Sequence, residues 1–123
     1  MKIRTHKDLE IYQIGFQSAM KIFEISKSFP QEEKYSLTDQ IRRSSRSVCS
    51  NIAEGFRKRR YEKSFVSKLN DAEGEAAETQ TWLEFSLSCN YIDQKCFNEL
   101  NSNYDNIIGK LVIMENQPEH WSV

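Results

Sequence analysis

From about residue 7 to residue 116, apolar side chains recur every three or four positions in four stretches, and proline occurs only at Pro30 and Pro118. No other feature constrains the fold as much. A repeat near 3.6 puts apolar residues on one side of a helix, whereas a strand needs a repeat of two, and no such alternation is sustained here. The expected elements are helices over about 7–27, 37–57, 61–89 and 93–116. Four amphipathic helices with short connections make an antiparallel up-and-down four-helix bundle, an all-α single domain over residues 1–123. A chain of 123 residues is long enough to bury a core of that kind.

Local signals place the ends. Thr5 with Asp8 and Ser36 with Asp39 have capping-pair spacing. Phe29 before Pro30 is pushed out of the helical region, so the first helix stops there and residues 31–35 connect it to the second. Asn90 suits a left-handed C-cap, Asp93 an N-cap, and Gly55 either a C-cap or a weak point in its helix. The last residues, 119–123, either hang loose or dock Trp121.

The first helix has two apolar stripes. Leu9, Tyr12, Phe16, Ala19, Met20 and Phe23 share one side, and Ile11, Ile14, Ile22 and Ile25 gather on roughly the opposite one. A surface helix of a monomer needs only one stripe, and this chain is too short to surround a helix. A subunit contact through Ile11, Ile14, Ile22 and Ile25 is therefore expected. Trp82 and Phe85 point away from the inner face of the third helix (Phe65, Leu69, Ala72, Ala76, Leu83 and Leu87) and join that interface. On the fourth helix Phe97, Leu100, Tyr104, Ile107, Ile108 and Leu111 form one stripe, widened by Val112 and Met114.

The second helix carries the charge. Six of the seven arginines lie between residues 42 and 60. Its inner side is Leu37, Ile41, Ser44, Ser45, Val48 and Ile52; Arg42, Arg43, Arg46 and Arg57 project elsewhere, and Lys58, Arg59 and Arg60 follow. Residues 1–70 hold 15 Lys and Arg against 8 Asp and Glu, and residues 71–123 hold 2 against 10, so a net charge of −1 conceals halves of +7 and −8. Guanidinium groups suit phosphate because they donate paired hydrogen bonds. Arg42, Arg43, Arg46, Arg57, Lys58, Arg59 and Arg60 are thus candidate nucleic-acid contacts. The alternative is that Arg42, Arg43 and Arg46 pair with acids of the third helix such as Glu73, Glu75 and Glu78, within one subunit or across an interface.

Other classes find less support. Cys49, Cys89 and Cys96 are odd in number and lack metal spacing, and His6 and His120 stand near opposite ends. No metal, no cofactor and no small-molecule substrate are expected. Asp71, Glu75 and Glu78 share a face, but no Glu-x-x-His pair accompanies them, and Asn51 with Glu54 is better read as bridging helices or capping Gly55 than as a catalytic site. Cys49 reads as a small packing residue. No apolar run approaches the ~20 residues that cross a bilayer, and the amino terminus lacks a secretory pattern, so no membrane partner is expected and the cytoplasm is the default compartment.

The chain also resembles a known family. The residues that carry the likeness are Asp8, Leu9 and Tyr12; Phe29, Pro30 and Glu33; the run Leu37–Arg43, LTDQIRR; the run Ser47–Gly55, SVCSNIAEG; and Ala72, Glu73, Gly74, Glu75 and Glu78, which are similar to an A-x-G-S-x-x-E segment. They resemble the bacterial four-helix-bundle family whose founding members are encoded in intervening sequences of 23S ribosomal RNA genes. Glu75, Cys49 and Val48 depart from its usual serine, proline and isoleucine, which touches local helix packing rather than the fold. The resemblance implies a homopentamer, and kinship with the accessory protein of diversity-generating retroelements, a similar pentamer that binds nucleic acid and a reverse transcriptase. The ribosomal-protein label on some members reflects where their genes sit. Two functions remain open: binding of RNA or DNA through a basic surface, or a protein–protein adaptor without nucleic acid.

Overall fold

The computed structural model describes residues 2–121. Helices α1 (Glu10–Ser26), α2 (Leu37–Arg57), α3 (Glu62–Ser88) and α4 (Gln94–Asn116) are joined by short connections, and the described residues contain no strand. α1 packs on α2 and α4, and α3 packs on the same two helices. The backbones of neither diagonal pair come within 8 Å, so the four helices stand at the corners of a square, up and down in turn. None of them is long and apolar enough to cross a membrane.

Most of the end signals act as expected. Thr5 and Asp8 form a complete capping box, but it closes a single 3-10 turn, His6–Asp8, and α1 begins after it. A second such turn, Gln31–Glu33, lies in the first connection. Asn90 adopts φ 63°, with its N–H donating to Leu87 O and the Tyr91 N–H to Ser86 O, the double bond of a Schellman end. Asp93 accepts from Cys96 N at 2.8 Å and starts α4. Ser36 differs from expectation. Its hydroxyl donates to Glu33 Oε1, which also accepts from Leu37 N, so the carboxylate from the preceding turn caps α2 and Asp39 takes no part. A last 3-10 turn, Pro118–Trp121, folds Trp121 against the core; Ser122 and Val123, the end of the tail, lie outside the described residues.

The core runs the length of the square. Ile41, Val48, Ile52, Phe65, Leu69, Leu83, Leu100, Tyr104, Ile107 and Leu111 are wholly buried. Small residues are buried on both α2 (Ser44, Ser45) and α3 (Ala72, Ala76, Thr79), and Thr79 donates to Ser44 Oγ at 2.8 Å across the contact between them. Gly55 belongs to this contact and not to a helix end. A Cβ there would stand 3.2 Å from Lys68 Cβ and 3.3 Å from Leu69 Cδ2.

The apolar sides of α1 are assigned the other way round from the sequence expectation. Ile11 and Ile22 are buried in the chain's own core, and Ile14 and Ile25 pack against it half-buried. They are not surplus surface for a second copy. Phe16 and Met20, on the opposite side, are 50% and 47% exposed. The reason lies in the small residues that share the isoleucine side. Gly15 and Ser18 are buried there, and a Cβ on Gly15 would lie 3.3 Å from Cys49 Sγ and 3.7 Å from Ile107 Cδ1. Close approach to two neighbours selects the side that carries glycine and serine, and the bulkier aromatic side is left outside.

Candidate interaction surface along the first and second helices

At 100° per residue, Arg42, Arg46, Ser50, Ala53 and Arg57 fall within one narrow stripe of α2. The stripe flanks the uncovered side of α1. Tyr12, Phe16, Ala19 and Met20 from α1 and Arg46, Cys49, Ser50 and Ala53 from α2 line an open apolar groove of about 350 Å³. Tyr12 and Phe16 stack at 6.0 Å within it.

Arg42 is fixed at one end of this groove. Its Nε donates to Ser26 Oγ at 2.8 Å, and its guanidinium lies 4.8 Å from the centre of the Phe23 ring. Arg46 and Lys27 approach the same ring, at 5.6 and 4.9 Å. Three cations thus gather around one aromatic ring. Arg57 stands about 22 Å along the helix from Arg42. Beside it Arg59 lies 4.0 Å over the Phe56 ring and donates to Phe56 O, while Lys58 and Arg60 are exposed at the turn into α3.

The seven basic residues therefore form two groups and an outlier. Arg42 and Arg46 stand in the first half of α2 and Arg57–Arg60 at its far end, while Arg43 turns away and meets Asp39 at 3.6 Å. Among the described residues no arginine forms an ion pair with Glu73, Glu75 or Glu78. Glu54 bridges to Lys68 on α3 at 3.2 Å, and Asn51 donates within its own helix to Ser47 O. Trp82 is half-buried, with its indole N–H donating to Glu78; Phe85 is 54% exposed, and both line a recess of about 360 Å³ with Tyr35. A third apolar exposure, Ile113 at 60%, lies on α4 next to Val112. The sequence reading missed Ile113; it sits on the far side of its helix from Leu111, a phase that periodicity could have supplied.

The titratable groups describe packing more than chemistry. Burial pushes the Cys49 thiol up to about 11, which keeps it protonated and a poor nucleophile. Glu75 is raised by burial and by Glu78 beside it. Glu115 is raised to about 7, by burial first and then by the Glu73 carboxyl beside it, while Asn70 donates to its Oε1 at 3.2 Å and its Oε2 is buried without a partner among the described residues. Among the described residues no three His, Cys, Asp or Glu groups are placed to hold a metal ion.

Comparison with known proteins places this geometry. No curated protein matches the chain. A crystal structure of a protein with unknown function from the S23 ribosomal protein family of Bacteroides thetaiotaomicron is similar, with a TM-score of 0.77 and 28% identity, covering 86% of this chain and 95% of that one. Residues 7–112 match the 23S rRNA-intervening sequence protein family, from the capping box to the last turns of α4. With four helices in the same square and the match running through all of them, the chain belongs to the 23S rRNA-intervening sequence protein family.

Proposed function

We propose that this protein is a non-enzymatic bundle that assembles with copies of itself and binds RNA or DNA through the arginine stripe of α2. One observation carries the reading: Arg42, Arg46 and Arg57 share a stripe, have no carboxylate partner among the described residues, and flank the uncovered apolar side of α1. Phosphate contacts of this sort position a protein without reading sequence, so the expected ligand is nucleic acid in general.

Self-association is supported by apolar exposure on separate flanks: Phe16 and Met20 beside α2, Phe85 and Tyr35 between α2 and α3, and Ile113 on α4. A closed ring joins unlike surfaces of neighbouring subunits, so it needs at least two such patches on each copy. The pentamer itself rests on the family resemblance. Repetition around a ring would multiply the potential of each arginine stripe.

Both parts have direct tests. Nucleic-acid-free protein titrated with RNA and with DNA should bind with affinity that falls steeply as salt rises. Arg46→Gln and Arg57→Gln should each lower the salt slope by about 1 if each removes one phosphate contact. Absence of binding at low salt would transfer the weight to the adaptor reading. In light scattering, Phe16→Glu with Met20→Glu should reduce the mass of the assembly while helicity is retained. An unchanged mass removes this face from the interface.

A further inference from the structure

The end of α1, the connection and the first turns of α2 enclose a small recess of about 150 Å³. Its walls hold Ser26, Lys27, Lys34, Thr38 and Arg42, with Phe29–Gln31 forming the rim, and none of the lining residues is acidic. The connection does contain carboxylates, but Glu33 is turned to the other side, where it caps α2 and accepts from Tyr91 OH at 2.9 Å. Glu24, outside the recess, pairs with Lys27 at 3.2 Å. Lys34 and Arg42 form no ion pair among the described residues.

Two details point to an anion. Arg42 is held before any ligand arrives: Ser26, only 2% exposed, accepts from Nε, and the Phe23 ring supports the guanidinium plane. That leaves the terminal amino groups of Arg42 as the donating edge. Thr38, only 7% exposed, brings a hydroxyl to the wall, and that hydroxyl has no hydrogen-bond partner among the described residues. The positive end of the 21-residue α2 adds to the field.

We propose that this recess binds a phosphomonoester, the terminal phosphate of a nucleic-acid strand, with Arg42 donating to two of its oxygens, Lys34 neutralising its second charge, and Thr38 hydrogen-bonded to it. A bridging phosphodiester has one charge and continues on both sides, whereas the recess is small, walled by two helices and a turn, and holds two cations, Arg42 and Lys34, that have no carboxylate partner among the described residues. The proposal rests on the nucleic-acid reading above and specifies which part of the strand is held.

The test compares one oligonucleotide sequence with a 5′-phosphate, a 3′-phosphate or hydroxyl ends, by fluorescence anisotropy. A phosphorylated end should bind on the order of tenfold more tightly than the hydroxyl form, the gain of one charge-assisted contact. Lys34→Gln, at an exposed position, and Thr38→Val, which keeps the shape of the side chain, should each shrink that ratio while circular dichroism is unchanged. Equal binding of all three forms, or a ratio that survives both substitutions, overturns the recess and leaves the arginine stripe standing. If no oligonucleotide binds at low salt, the nucleic-acid reading fails and inorganic phosphate becomes the probe. Amide NMR shifts at Ser26 and Thr38 that saturate and vanish in Lys34→Gln then assign the recess to a free phosphate, and their absence overturns it. Competition of inorganic phosphate with the phosphorylated strand separates the two sources.

Discussion

A side chain at position 55 would have to displace Lys68 Cβ and Leu69 Cδ2 on the facing helix, whereas Gly74 and Gly109 have open space around them. All three lie inside helices, where alanine is favoured over glycine by about 1 kcal/mol. Gly74→Ala and Gly109→Ala should therefore each raise the unfolding free energy by about that amount in urea denaturation. Gly55→Ala should lose the gain to crowding, and a stabilisation equal to that of Gly74→Ala would refute the close α2–α3 contact. Glu115 gives a pH dependence. Its carboxyl titrates near 7 in the folded chain and near 4.5 when unfolded, so the folded state binds the extra proton between those values and stability declines as pH rises through that window. Glu115 is only partly buried, so solvent screening holds the loss to about 1 kcal/mol. Glu115→Gln should flatten the decline, measured as the difference in denaturation midpoint between about pH 5 and about pH 8.

Among the helices, α1 makes the clearest separate prediction. Ile22 is wholly buried and Met20 is nearly half exposed, although only Lys21 separates them in sequence. Ile22→Ala should cost about 2–5 kcal/mol, as truncation in a packed core does. Met20→Ala should change the stability of an isolated subunit by no more than about 0.5 kcal/mol. Chemical denaturation of the two variants settles which stripe faces inward, and similar costs would argue against the orientation described here. Leu83 on α3 is also wholly buried, and its truncation belongs with that of Ile22. On α2, the cap comes from Glu33, whose carboxyl is held below its usual range by hydrogen bonds from Ser36 and Tyr91. Its contribution is present above the unfolded carboxylate value and fades as pH falls through the lower folded one.

For the whole molecule, the opposed charges of the two halves are only partly reconciled by folding. Lys21 of the first half meets Glu99 of the second at 2.9 Å, and Lys68 lies 3.9 Å from Asp71, whereas Lys110–Glu10, at 2.6 Å, joins the minority charges and Lys68–Glu54 stays within the first half. These pairs are largely solvated and contribute little each. The α2 arginines, apart from Arg43, stay outside this arrangement. If copies associate through Phe16 and Met20, the melting temperature should rise with protein concentration, because assembly stabilises only the folded form. The Phe16→Glu, Met20→Glu variant should melt at one temperature at every concentration, as differential scanning calorimetry over a hundredfold dilution can record.

Periodicity was enough for the helices, their order and most of their ends, since each depends on residues a few positions apart: Asn90 and Asp93 act within one turn, and the Leu37–Ile52 stripe is legible at 3.6 residues per turn. The same information revealed that α1 is apolar on two sides. It could not choose between them, because that choice depends on how closely α2 and α4 approach, and Gly15, Ser18, Cys49 and Ile107 meet only after the chain has folded. The arginines follow the same rule. Their phase on α2 could be counted along the chain, but the Phe23 ring and Ser26 hydroxyl that hold Arg42 come from another helix, so long-range packing decided which cations stand together and which turn away.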